Sequence, residues 1–159
     1  MGDTYTQAYF HLVFAVQNRK SLIDESWKPD LEKYITAIVK NQGHKLIAIG
    51  SMPDHIHILI GYSVKQTIPD LVNIIKTSSN QWIKEKGFTA FRFSWQNGYG
   101  AFSHSRSQID RVAKYVLKQE KHHSKKTFKA EYIGILKRVQ IEFKNEYLFD
   151  FIEENLDVK

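Results

Sequence analysis

The chain has 159 residues, 42% of them hydrophobic and 13% aromatic, enough to bury one good core and hardly two. The absence of cysteine excludes a disulfide framework, a thiolate zinc site and a catalytic thiol, and makes the cytosol the natural expectation. A formal net charge of +6 favours a polyanionic partner, and basic residues recur beside aromatic ones at Phe91-Arg92-Phe93 and Lys114-Tyr115, a mixture suited to phosphate contact and base stacking.

From Tyr9 to Val16 apolar residues alternate as in a half-buried strand, with Phe10, Leu12, Phe14 and Val16 on one side. From Ser26, the residues Trp27, Leu31, Tyr34, Ile35, Ile38 and Val39 fall at helical spacing, with Pro29 in the first turn and Gly43 past the end. Lys45 to Ser51 and His55 to Gly61 read as a hairpin around Met52-Pro53-Asp54. Thr67 caps a second helix with Leu71, Val72, Ile75, Trp82 and Ile83 inside, ended by Gly87. Phe91 to Phe102 fits either one bent strand or a small hairpin broken at Asn97-Gly98 and Gly100. Ser107 is expected to cap a third helix running to about Lys121. The order is βαββαβ plus a helix: an α+β, ferredoxin-like antiparallel sheet with helices on one face and an accessory helix outside it. Residues 1–121 are expected to form the domain. Residues 122–159 form an extension, helical around Phe128 to Arg138, that packs on the domain or a partner because Tyr147, Leu148 and Phe149 favour burial. The apolar runs FHLVFAV and HILI are too short to cross a bilayer, and the polar start MGDTYTQ does not read as a signal peptide.

Along the hairpin's second strand, His55, His57 and Leu59 point to one face and Ile56, Ile58 and Ile60 to the other. If the isoleucines take the helix-covered core, two imidazoles stand side by side on the open face, able to offer two nitrogen ligands to one divalent ion. A pair of half-exposed strand histidines with no ligand satisfies the same pattern. In the third helix Ile109, Val112, Ala113, Val116 and Leu117 form an apolar stripe. Tyr115 and Gln119 lie one turn apart on its border, with Arg111, Lys114 and Lys118 further round. A boundary tyrosine that merely packs satisfies that helix taken alone.

Taken together, MPDHIHILI and YVLKQ, supported by FHLVFAVQNRK and WQNGYGAFSHS, carry a resemblance over about Tyr9 to Gln119. The chain resembles the single-tyrosine HUH transposases of bacterial insertion sequences of the 200/605 type, including relatives associated with repeated palindromes. The resemblance implies His55 and His57 as metal ligands, Gln119 as the third ligand, Tyr115 as nucleophile, and Mg2+ or Mn2+ as the ion. It implies cleavage and rejoining of single-stranded DNA near hairpins through a 5′-phosphotyrosine intermediate. It also implies a homodimer whose active sites are shared between chains, in the bacterial cytoplasm and on the nucleoid when bound to DNA. A phenolate is a better leaving group than an alkoxide, so such a linkage can be resealed without a nucleotide cofactor. No phosphate-cradling G-x-x-x-x-G-K loop is present.

Arg19, Lys20, Lys76, Lys84, Arg92, Arg106, Arg111 and Lys118 are candidate DNA contacts, each of which would equally serve as solvated charge. His11 shares the parity of Tyr9 and Val13 but reads equally well as a hydrogen-bonded structural histidine. His104 is expected in a loop, His122 and His123 at a helix end, and Asp54 is accounted for by its turn. The competing reading is a non-catalytic module for single-stranded nucleic acid, or a domesticated DNA-binding relative.

Overall fold

A computed structural model describes residues 2–118 and 126–152. Strands β1 (Tyr9–Ala15), β2 (Lys45–Met52), β3 (His55–Gly61) and β4 (Gly100–His104) form one sheet in the order β2-β3-β1-β4, with every neighbouring pair antiparallel. That is the ferredoxin-like arrangement expected from the element order. β3 pairs with β1 so that Phe10 faces Ile60, Leu12 faces Ile58 and Phe14 faces Ile56. Against this side pack Leu31, Ile35 and Val39 of α1 (Lys28–Asn41) and Leu71, Val72 and Ile75 of α2 (Ile68–Lys86). Pro29 opens α1, the Thr67 hydroxyl accepts the Asp70 N–H at 3.2 Å, and Gly87 ends α2 in the left-handed conformation at φ 66°.

The stretch expected as a bent strand or hairpin becomes β4 plus a single bridge between Val16 and Trp95. Side chains hold the segment away from a regular ladder. The Lys76 ammonium donates to the carbonyls of Gln96 and Gly98, both at 2.7 Å, and sits 5.4 Å from the Phe14 ring centroid. Burial pulls its pKa down to about 8. Trp95 meets Phe14 edge-on at 4.8 Å and donates its indole N–H to Ser79 Oγ at 2.8 Å, closing that end of the core.

The second face of the sheet was expected to be open, and it is covered. α3 (Ile109–Leu117) lays Ile109 and Val116 on Ala48 of β2 and Leu59 of β3. The tail helix α4 (Phe128–Arg138) covers the other half: the Phe128 ring stacks on His55 with centroids 3.8 Å apart, and Tyr132 leans on Phe102 and Phe149. The tail aromatics Phe128, Tyr132, Phe149 and Phe151 would otherwise stand in water, and their burial is what closes this face. Gly100 is the floor of the contact. A Cβ there would lie 2.8 Å from the Phe102 ring and from the Tyr132 hydroxyl.

Two local expectations are corrected. Ser105, not Ser107, precedes the turn into the third helix, its N–H donating to Gln108 Oε1 at 3.4 Å across a single 3-10 turn. His104 ends β4 and does not lie in a loop. The continuation of α3 to Lys121, and with it Gln119, His122 and His123, lies outside the described residues. Among the described residues no helix is long and apolar enough to cross a membrane.

Because Phe128 fills the space over His55, Phe128→Ala should lower the unfolding free energy by about 3 kcal/mol, measured by urea denaturation. A change under about 0.5 kcal/mol would mean that the tail helix does not dock in solution.

Candidate metal and tyrosine site

Strand alternation puts His55 and His57 on the second face, and both are fully buried, not half-exposed. Each imidazole has one nitrogen engaged by an orienting partner. His55 Nδ1 stands 2.6 Å from Asp54 Oδ1, so the carboxylate fixes that nitrogen as the protonated one and leaves Nε2 as the lone-pair donor. His57 Nδ1 shares a 2.7 Å hydrogen bond with His11 Nε2, whose ring stacks on it at 4.9 Å. Burial first, then the neighbouring His57 and His104, hold the His11 pKa well below its ordinary value, so His11 is neutral at neutral pH.

His57 Nε2 meets a third group, Glu131 Oε1 of α4, at 2.8 Å, and that carboxylate is 3% exposed. Ligand atoms of His55, His57 and Glu131 all lie within 4.8 Å of one another. Two imidazole nitrogens and a carboxylate oxygen form a donor set that divalent first-row ions accept, so these residues fit a divalent cation.

Tyr115 is brought to the same place. α3 crosses the sheet so that the Tyr115 ring lies edge-on to His57 at 5.8 Å and to His11 at 6.2 Å. Beside it opens a cleft of about 410 Å³ lined by His11, Phe102, His104, Arg111, Tyr115 and Arg138, among others. Burial lowers the His104 pKa against a raising hydrogen bond from Gln108. Among the described residues, positive charge in the cleft at neutral pH therefore comes from Arg111 and Arg138.

The expected DNA contacts divide. Arg111 alone shares the cleft with Tyr115. Arg19 and Arg92 line a groove with Gln17, Ser94 and Asp150, while Lys84 and Arg92 border a depression beside Phe91. Lys20 sits 5.1 Å from the half-exposed Phe91 ring. Arg106 and Lys118 are exposed at the two ends of the tyrosine helix. Lys76 is engaged by backbone carbonyls and serves the fold.

Three residues of the site were set aside or missed in the sequence. His11 had the right parity and Asp54 the right adjacency, yet each had a sufficient local explanation. Glu131 had one signal: a carboxylate on the buried stripe of Phe128, Tyr132, Ile135 and Leu136, where a solvated charge does not belong.

Comparison with known proteins places the chain in a family and a fold. Residues 4–119 match the family model described as "Transposase IS200 like", which leaves α4 outside the match. ISDra2 transposase TnpA of Deinococcus radiodurans is 30% identical over 73 residues, 46% of this chain and 52% of that protein, so the chain spans about half the length of the curated relative it matches. A Deinococcus radiodurans protein described as a transposase in its crystal structure superimposes with a TM-score of 0.58 at 22% identity, covering 73% of this chain and 94% of that one. A REP-associated tyrosine transposase bound to a REP hairpin gives 0.53 at 14% identity, with 73% and 68% covered. The solved structures share the fold, and the family model spans most of the chain: the chain belongs to the IS200-like, single-tyrosine transposases.

Proposed function

We propose that the chain cleaves and rejoins single-stranded DNA near hairpins, with Tyr115 as nucleophile and Mg2+ or Mn2+ held by His55 and His57, with Gln119 as the further ligand implied by family membership. The observation that carries this reading is the convergence of the Tyr115 ring with His57 beside a cleft lined by Arg111 and Arg138.

The chemistry balances without a cofactor that carries energy. Tyr115 Oη attacks phosphorus and loses its proton. The bond to the 3′ oxygen breaks, that oxygen leaves as a hydroxyl, and the 5′ phosphate stays on the tyrosine. A new 3′ hydroxyl reverses the step and releases the phenol. A bound divalent cation would supply charge stabilisation at the phosphoryl oxygens. Arg111 and Arg138 place fixed positive charge along the cleft, and neutral His11 holds the His57 ring in one orientation. Asp54 does the same for His55. DNA is the expected partner, with the cytoplasm and nucleoid as its place.

The active unit is proposed to be a homodimer with sites shared between chains. Within one chain α3 already lies over its own sheet, so a site in cis is also available to the geometry.

His55→Ala, His57→Ala, or EDTA should abolish cleavage of hairpin-bearing single strands in gel assays while circular dichroism stays unchanged. Retained cleavage by the double variant under chelation would remove the metal from the mechanism. Tyr115→Phe keeps the ring and deletes only the hydroxyl, so hairpin binding should survive and the tyrosine–nucleotide adduct should vanish from mass spectra. An adduct on the phenylalanine variant would assign the attack to another residue.

Subunit composition is read by mixing inactive His57→Ala with inactive Tyr115→Phe protein. Recovered cleavage supports sites shared in trans, whereas a dead mixture with confirmed subunit exchange leaves only the cis site.

A further inference from the structure

The family match ends at residue 119, yet the tail beyond it delivers a carboxylate to the paired histidines. We propose that Glu131 of α4 is a direct ligand of the divalent cation held by His55 and His57, so that the tail helix is fastened to the sheet through the metal. The proposal rests on the metal-dependent reading of the site given above.

The first support is spacing. Neighbouring ligands of a six-coordinate ion with bonds of about 2.1 Å stand about 3 Å apart, and Glu131 Oε1 stands 2.8 Å from His57 Nε2. The His55 ligand atom completes a set spanning no more than 4.8 Å.

The second support is direction. Asp54 stands against Nδ1 of His55 and directs its Nε2 toward the same space, and in the tautomer whose Nδ1–H donates to His11, Nε2 of His57 carries the lone pair that a metal takes. Ligating imidazoles are oriented in this way, the second nitrogen anchored by a carboxylate or another polar partner.

The third support is burial. Glu131 is 3% exposed and lies on the same helix face as Phe128, Tyr132 and Ile135, where an ionised carboxylate is costly unless positive charge stands against it. A divalent cation held at the paired histidines would place that charge beside the carboxylate, whose Oε1 lies 2.8 Å from His57 Nε2.

The same geometry has a mechanical consequence. Phe128 stacks on one imidazole while Glu131, one turn later, reaches the other, so α4 and the ion hold each other in place.

The test uses the full chain and Mn2+ alone, with affinity read from the free-ion electron paramagnetic resonance signal and tail docking from amide hydrogen exchange over residues 126–138. The wild type should bind Mn2+, and binding should slow exchange in α4. Glu131→Gln should weaken binding by roughly tenfold or more, since even groups one step removed from a metal cost about that much, and Mn2+ should no longer protect α4. Glu131→Asp keeps the charge and withdraws it by one methylene. It should bind with intermediate affinity, which keeps the test decisive if the glutamine variant folds poorly. If Glu131→Gln or Glu131→Asp binds Mn2+ as tightly as the wild type or more tightly, Glu131 merely pairs with His57 or plugs the site, and the proposal is overturned. If the wild type binds no better than His57→Ala, the metal reading itself fails and the proposal falls with it.

Discussion

β3 is buried on both of its faces, and the remainder of the molecule is arranged around that constraint. A strand so placed has no solvent side on which to put a polar residue at low cost, so every polar group it carries must find a partner inside. On one face Ile56, Ile58 and Ile60 meet α1 and α2 and need nothing more. On the other, His55 and His57 are sealed beneath α3 and α4, and three groups from three parts of the chain answer them: Asp54 from the preceding turn, His11 from the neighbouring strand, and Glu131 from the tail.

This gives the two faces different tasks. The isoleucine face carries stability, since its contacts are apolar and close-packed. The histidine face carries the proposed chemistry, and its polar groups are held by short contacts of 2.6 to 2.8 Å that fix ring orientation. Preorganisation of that kind lets a site act on a phosphodiester without rearranging at the moment of reaction. Tyr115 belongs to this face through α3, which joins the sheet by a small apolar cluster around Ala48, Leu59, Ile109 and Val116.

The tail changes the character of the site. Without α4 the sheet would present an open histidine pair beside a tyrosine. With it, Phe128 and Glu131 close one side, and among the described residues the cleft bordered by Arg111 and Arg138 opens beside Tyr115. One of those arginines comes from the tyrosine helix and the other from the tail helix. The width of the cleft is therefore set by how the two helices sit on one sheet.

The sequence by itself determined what depends on short-range periodicity. The period of two along His55 to Gly61 separated the histidines from the isoleucines, and the helical period placed Tyr115 at the border of an apolar stripe. The order of elements gave the sheet its topology. Such patterns are local because a side chain's direction follows from its own backbone. Tertiary structure decided what depends on contacts between distant segments. The second face is covered because an aromatic tail folds back over it, His11 matters because β1 is the neighbour of β3, and Lys76 serves the fold because a loop passes within reach of its ammonium. Glu131 stood in the sequence as a charge misplaced on an apolar stripe. Only the docking of α4 onto β3 shows which group that charge faces, because no local periodicity encodes where a tail helix comes to rest.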